Sequence, residues 1–303
     1  MCSSIGQLVG YYLQVAMRNF AQKLFMSCRF FGFLVLLLFA SGVLQAQNTV
    51  PLSVGITVGA ANYSGDLSYH AVELKQTKPA LGVAGMVGFN RFLWLRLSGM
   101  WFTLSASDAD AGDPVRNARN LSFRSRIWEG SAQVVFTVPL GRHFAPYLCG
   151  GVAVFGFNPK AKYQGEWVAL QPLGTEGQGL GPAQMRTYRR SSWALPAGAG
   201  LRVKSGKHLE FFVEATYRKT FTDYIDDVSG NYYSQTELLQ KRGELAAALA
   251  NRSAEVIGEN NLFPAGSVRG NPKYNDGYYL LTLTAAWQLG SSQSSRMERC
   301  YGF

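Results

Sequence analysis

Beyond residue 50, apolar and polar positions alternate with a period of two, the pattern of half-buried strands. Leu209 to Arg218 shows it most clearly. Leu209, Phe211, Val213, Ala215 and Tyr217 share one face, and Glu210, Phe212, Glu214, Thr216 and Arg218 the other. The last such stretch sets Tyr279, Leu281, Leu283, Ala285 and Trp287 opposite Leu280, Thr282, Thr284, Ala286 and Gln288. Comparable segments predict eight strands, at about 51–62, 79–90, 92–105, 121–138, 144–157, 192–204, 208–221 and 278–289.

The connections are as informative as the strands. Asn90-Arg91, Pro139 to His143 and Ser205 to Lys207 are tight turns, whereas 63–78, 105–120, 158–191 and 222–277 are long. Short and long alternate throughout. In a closed antiparallel sheet this sends every tight turn to one rim and every long loop to the other, as in bacterial outer-membrane barrels. A soluble β-sandwich also alternates, but it accommodates loops of this length poorly. The apolar face of each strand runs uncharged for about 9–11 residues, as a tilted membrane strand requires. Aromatic residues gather toward strand ends, at Phe92, Trp94, Trp101, Trp128, Trp193 and Trp287, where an interfacial girdle would sit. The expected fold is all-β: an eight-stranded antiparallel up-and-down transmembrane β-barrel, OmpA-like, with short periplasmic turns and long extracellular loops.

Magnitude then decides which face points where. A Lys or Arg on the lipid face at mid-bilayer costs about 2–4 kcal/mol. Glu210, Glu214 and Arg218 must therefore turn into the lumen, and the same parity sends Arg96, Glu129 and Arg202 inward. Lys219 falls on the outward parity but near the long-loop rim, within reach of headgroups. The interior of an eight-stranded barrel is just wide enough for side chains to fill. Paired, these six charges form a lumenal network that plugs the bore, which is the preferred reading over a gated ion path.

Composition narrows the classes further. Charged residues are 16% of the 303, below the quarter usual for a soluble domain. A mean hydropathy of −0.02 argues against a bundle of apolar membrane helices. The net charge is +10, from 29 Lys+Arg against 19 Asp+Glu. Arg18, Lys23 and Arg29 precede residue 47, where no acid occurs, so the remainder carries 26 − 19 = +7. No run of five basic residues and no zinc-finger, helix-turn-helix or RRM pattern is present, which argues against nucleic acid. Outer-membrane lipid and lipopolysaccharide are the expected partners of this basic surface.

The N-terminal segment reads as an export signal. Arg29 precedes the apolar run Phe30 to Ala40, and Ser41 to Ala46 then offers cleavage between Ala46 and Gln47. The expected organisation is a presequence with signal peptide at 1–46, a barrel at 47–290 and a polar tail at 291–303. Residues 1–25 are long for the region before such a run, and translation starting at Met17 or Met26 would explain them. Cys2 and Cys28 leave with the presequence. Cys149, in an apolar Gly-rich strand, reads as a small buried hydrophobe, not as the partner of Cys300.

Candidate chemistry is sparse. His70, His143 and His208 share no metal-ligand spacing, and no Ser/His/acid set can be assembled on neighbouring strands. No catalytic residue, cofactor or metal is expected. Gly174 to Gly181 lacks a strand-turn-helix context for a phosphate loop and reads as a compact loop needing positive φ. Asp223, Asp226, Asp227 and Asn231 miss the spacing of a Ca²⁺ loop and read as a solvated acidic rim. Glu237 to Asn251 reads as one helix, with Leu238, Leu245, Leu249 and the alanines packing onto a loop cap or a partner.

Several segments resemble a Bacteroidota outer-membrane β-barrel family that includes the type IX secretion system component PorG. They are Asn62-Tyr63-Ser64-Gly65-Asp66-Leu67, Lys78 to Gly82, Arg119 to Ser125, Phe157 to Ala161 and Leu170 to Gly179. The longest runs from Tyr217 to Tyr224 and on through Asp226-Asp227-Val228-Ser229-Gly230, with Arg269-Gly270-Asn271-Pro272 later. Most of these residues lie in or beside the long loops. The resemblance implies a non-enzymatic outer-membrane component of protein export, associated with a periplasmic ring of a lipoprotein and a soluble partner. It supplies no catalytic residues. A small porin or surface-binding barrel is the alternative role.

Overall fold

The computed structural model describes residues 51–68, 73–110, 112–180, 186–258 and 262–289. The signal-peptide residues Ala46 and Gln47, His70, Gly181, Cys300 and the tail after Leu289 lie outside the described residues. Among the described residues ten strands form, in the order β1 (Leu52–Ser64), β2 (Lys78–Gly88), β3 (Leu93–Ser107), β4 (Ser122–Thr137), β5 (Phe144–Gly156), β6 (Pro159–Tyr163), β7 (Glu166–Ala169), β8 (Ser191–Ser205), β9 (Leu209–Thr220) and β10 (Gly277–Leu289).

Eight of them close. The ladder runs β3-β2-β1-β10-β9-β8-β5-β4, and β4 pairs back to β3. Every pairing is antiparallel, and the seam between the first and last strands runs from Leu52↔Leu289 to Ser64↔Gly277. The eight are the strands the alternation predicts, each within two residues or so at its ends. β6 and β7 are additional to that set. They form a hairpin inside the loop 158–191, held to the barrel where Arg124 pairs Lys160 and Ser125 pairs Pro159.

Period-two patterning shows directly in solvent exposure. Along β4 and the residue that follows it, Trp128, Val134, Phe136 and Val138 are exposed while Glu129, Ser131, Gln133 and Val135 are buried. Val58, Leu97, Leu148, Val213 and Leu283 face outward on five other strands. An apolar exterior over a polar interior is the inverse of a soluble barrel and is what a lipid surround requires. Trp128 to Val138 covers about 33 Å of strand at 3.3 Å per residue, or about 25 Å of height at the usual tilt, the thickness of an outer-membrane apolar band.

Among the described residues of the long loops are four short α-helices: α1 (Pro114–Arg119), α2 (Gln235–Arg242), α3 (Glu244–Ala250) and α4 (Ala254–Ile257). The single helix expected over Glu237–Asn251 is two. Gly243 sits at φ +89°, receives no helical continuation and is the C-cap of α2 and the N-cap of α3. Only glycine adopts that backbone without strain. Leu238, Ala247 and Ala250 then pack together, and Leu249 joins Ala161 and Leu170 of the β6–β7 region.

Candidate functional site

Two polar assemblies stand out, one in the bore and one over its long-loop mouth. In the bore, strand parity brings all six charges predicted to face inward into the lumen, each 6% exposed or less. They form three ion pairs stacked along the axis. Nearest the short-turn rim, Arg202 on β8 meets Glu210 on β9 at 2.5 Å. The Arg202 guanidinium also lies over the Trp94 ring, 4.2 Å from its centroid. Trp94 is buried, so it belongs to the plug and not to the interfacial girdle expected of it. Trp101, Trp128, Trp193 and Trp287, on the outward parity, are exposed.

The middle pair spans the bore. Arg96 on β3 reaches Glu214 on β9 at 2.6 Å, and these strands stand four apart in the closed ladder. Gln133 Oε1 accepts from Arg96 Nε at 2.8 Å and from a second guanidinium nitrogen. Tyr147 donates to Glu214 at 3.0 Å, and the Cys149 thiol donates to it at 3.4 Å. Cys149 is therefore a polar partner in the lumen as well as a small packing residue. Above it, Arg218 lies 3.4 Å from Glu129, whose other contact is the Tyr278 hydroxyl at 2.6 Å. Arg218 also donates to Thr216. Between and above the pairs, Phe102, Phe155, Tyr278, Tyr63 and Phe123 fill the bore with aromatic rings. Removing one partner of such a pair costs about 3–5 kcal/mol, because a charge is left buried and uncompensated.

The long loops converge over this mouth. Arg119 of α1 clamps Asp108 with two bonds of 2.7 and 2.6 Å and donates to the Arg269 carbonyl at 2.6 Å. Arg269 is buried and donates to Glu176 at 2.9 Å and to the Asp227 carbonyl at 2.6 Å. Glu176 in turn accepts from the backbone N–H groups of Ser229 and Gly230. Asp227, at the left-handed φ of +67°, accepts from Thr175 and Tyr188. The loop carrying Glu176 holds Gly174, Gly177 and Gly179 at positive φ, as its glycine content predicts.

Asp223, Asp226 and Asp227 are buried, at 7%, 1% and 0% exposure. The solvated acidic rim expected of them is thus a buried acid cluster, and only Asn231 is exposed. Sequence spacing hides this because the burying partners are remote in sequence: Tyr63 at the end of β1, Thr175 and Tyr188 in the loop 158–191, and Arg269 at the far end of the aspartates' own loop. Tyr63 lies 2.7 Å from Asp226 and 2.5 Å from Asp276. A phenol has one proton to give, so the second contact requires a protonated carboxyl. Burial pushes both carboxyls well above their usual range, with Asp276 adding to the rise at Asp226 and Asp223 adding to the rise at Asp276. Burial also lifts Asp223 to about 7, with Asp66 and Glu176 adding to the rise and Ser229 offsetting part of it. Asp227 is lifted to about 6 by burial, with Arg269 opposing. Among the described residues no three His, Cys, Asp or Glu side chains gather into a metal-holding group.

The two described histidines, His143 and His208, stay apart from both assemblies. His143 is exposed in a tight turn, and His208 stacks on Trp287 at 5.4 Å.

The sequence model of the outer membrane protein β-barrel domain matches residues 31–238. The chain belongs to that family. Its place is accordingly the outer membrane, with the short turns on the periplasmic rim and the long loops outside. No curated protein matches the chain. Among solved structures, Neisserial surface protein A is similar at 9% identity, covering 78% of this chain and 97% of its own, with a TM-score of 0.39. OprG of Pseudomonas aeruginosa gives 9%, 80%, 97% and 0.39, in the same order. A major outer membrane protein of Thermus thermophilus gives 14%, 78%, 99% and 0.38.

Proposed function

We propose that this family member is a non-enzymatic, non-conducting barrel that serves as a PorG-like component of type IX protein secretion. One observation carries the reading: segments that resemble the PorG-containing family meet in one place. Tyr63 and Asp66, Arg119, Glu176, Asp226 to Gly230 and Arg269 to Asn271 are far apart in sequence and interlock in the cap. Asp66 accepts from the Asn271 N–H at 2.7 Å, and Arg269 joins Glu176 to the Asp227 backbone. A resemblance carried by segments that interlock in one assembly supports a shared architecture.

In this reading residues 1–46 direct export, with cleavage between Ala46 and Gln47. Periplasmic ring proteins of the secretion system meet the short-turn rim, and outer-membrane lipid and lipopolysaccharide surround the wall. Deleting the gene should abolish export of proteins bearing the type IX sorting domain. Export at the parental level would remove this role.

A surface-binding barrel is the second reading. It is favoured by the exposed apolar residues Val256, Ile257, Leu262, Val268 and Tyr274 on the long-loop side. A deletion strain that exports normally but loses surface attachment would select it.

A further inference from the structure

On the outer wall, small residues of three strands fall side by side. Gly99 stands opposite Gly130 in the β3–β4 ladder, and Val83 of β2 stands opposite Gly99. No atom lies within 4 Å of the place a Cβ would take at Gly85 or Gly130. The wall is dented there into an open groove of about 510 Å³, bordered by Val83, Leu97, Val152 and Trp193. Trp101 and Trp128 form a cross-strand pair one step nearer the long-loop rim.

Directly above that pair, the outward positions turn basic. Arg126 and then Arg124 follow Trp128 at two-residue intervals up β4. Lys160 pairs Arg124 across to β6, with Lys162 beyond it. Arg189 and Arg190 lead into β8, where the Arg190 carbonyl accepts from Phe157 N–H at 2.9 Å. Arg124, Arg126, Lys162, Arg189 and Arg190 are exposed. Among the described residues, the ion pairs are made by other cations. Arg124 is braced instead, 5.5 Å above the Trp167 ring. From Gly130 to Arg126 is about 13 Å along the strand.

We propose that this face is a binding site for a phosphorylated lipid of the outer leaflet. One acyl chain lies in the glycine groove, and Arg124 and Arg126 hold the headgroup phosphates. The inference rests on the outer-membrane placement and is independent of the type IX role. Three features select this occupant. The groove lies at membrane depth, below an aromatic pair. The charge above it is predominantly basic, with Glu166 of β7 the one exposed acid of the neighbouring hairpin, and guanidinium groups match phosphate oxygens in pairs. An apolar groove with a cationic cluster above it fits the two halves of one amphiphile, whereas a free phosphate would leave the groove without a purpose.

The test uses the full chain purified from membranes and titrated, with native mass spectrometry as readout, against bisphosphorylated lipid A, the same lipid dephosphorylated, and inorganic pyrophosphate. The wild type should prefer the bisphosphorylated lipid, and R124E/R126E should weaken that binding at least roughly tenfold, as expected when charge-assisted bonds to phosphate are lost. Gly130→Phe, which fills the groove from open space, should weaken it as well, while Leu281→Phe on the far wall should not. Where R124E/R126E fails to insert into liposomes, R124A/R126A takes its place. Equal binding of both lipid forms, an unaffected charge variant, or displacement by pyrophosphate at lipid-like concentration would overturn the site. Liposome insertion is scored in parallel. A wild-type chain that does not insert overturns the barrel placement itself, and one that inserts without distinguishing the lipids overturns the site alone.

Discussion

Glu214 is the residue on which the bore depends most. It takes the Arg96 ion pair, the Tyr147 hydroxyl and the Cys149 thiol. Glu214→Gln removes the charge and leaves Arg96 buried without its counter-ion. Stability in urea titrations of folded protein should fall by about 3–5 kcal/mol, with strand content retained at low denaturant. Asp223 acts in the opposite sense. It is buried, neither of its oxygens accepts a well-formed hydrogen bond, and its folded carboxyl titrates near about 7. An unfolded Asp releases its proton near pH 4. Between those values the unfolded loops bind fewer protons than the folded cap, so cap stability falls as pH rises from about 4 to about 7. Asp226, Asp227 and Asp276 are shifted the same way. Limited proteolysis of the loops should therefore be slower at pH 5 than at pH 8, and Asp223→Asn should narrow the difference. Equal rates at both pH values in the wild type would contradict this account.

At the scale of elements, the strands are legible in the sequence because lipid imposes a binary choice on each position. Val58, Leu97 and Leu283 can only face out, and Arg96, Glu129 and Glu214 can only face in. Alternation alone therefore places eight strands and the six charges of the bore. Trp94 misleads because an aromatic near a strand end satisfies a girdle and a lumen equally well. Its parity, shared with Arg96, holds the answer. The cap is less readable. The β6–β7 hairpin has four or five residues per strand and no long alternation, and it is stabilised by pairing to β4 and by Leu249 of α3. The burial of Asp226 and Asp227 depends on Tyr63, Tyr188 and Arg269, contacts that no local pattern encodes. The one local sign of it is the Gly-rich run at 174–179, whose backbone geometry is realised.

For the whole molecule, the proposed non-conducting role rests on a filled bore under a locked cap. Three stacked ion pairs, two of them crossing between non-adjacent strands, leave side chains where water would run. Planar bilayers containing the purified protein should show no discrete current steps. Steps that persist with Arg96, Glu129 and Glu214 intact would mean that the network gates rather than blocks.

The seam between β1 and β10 joins residues more than 200 positions apart, over thirteen consecutive pairs. Until that last segment has been synthesised, two ribbons of backbone amides and carbonyls have no mate, a condition hydrocarbon does not tolerate and that invites aggregation in water. Assembly must therefore wait for release of the complete polypeptide. A nonsense codon anywhere before residue 277 should leave material that periplasmic proteases clear, with no shortened ring surviving.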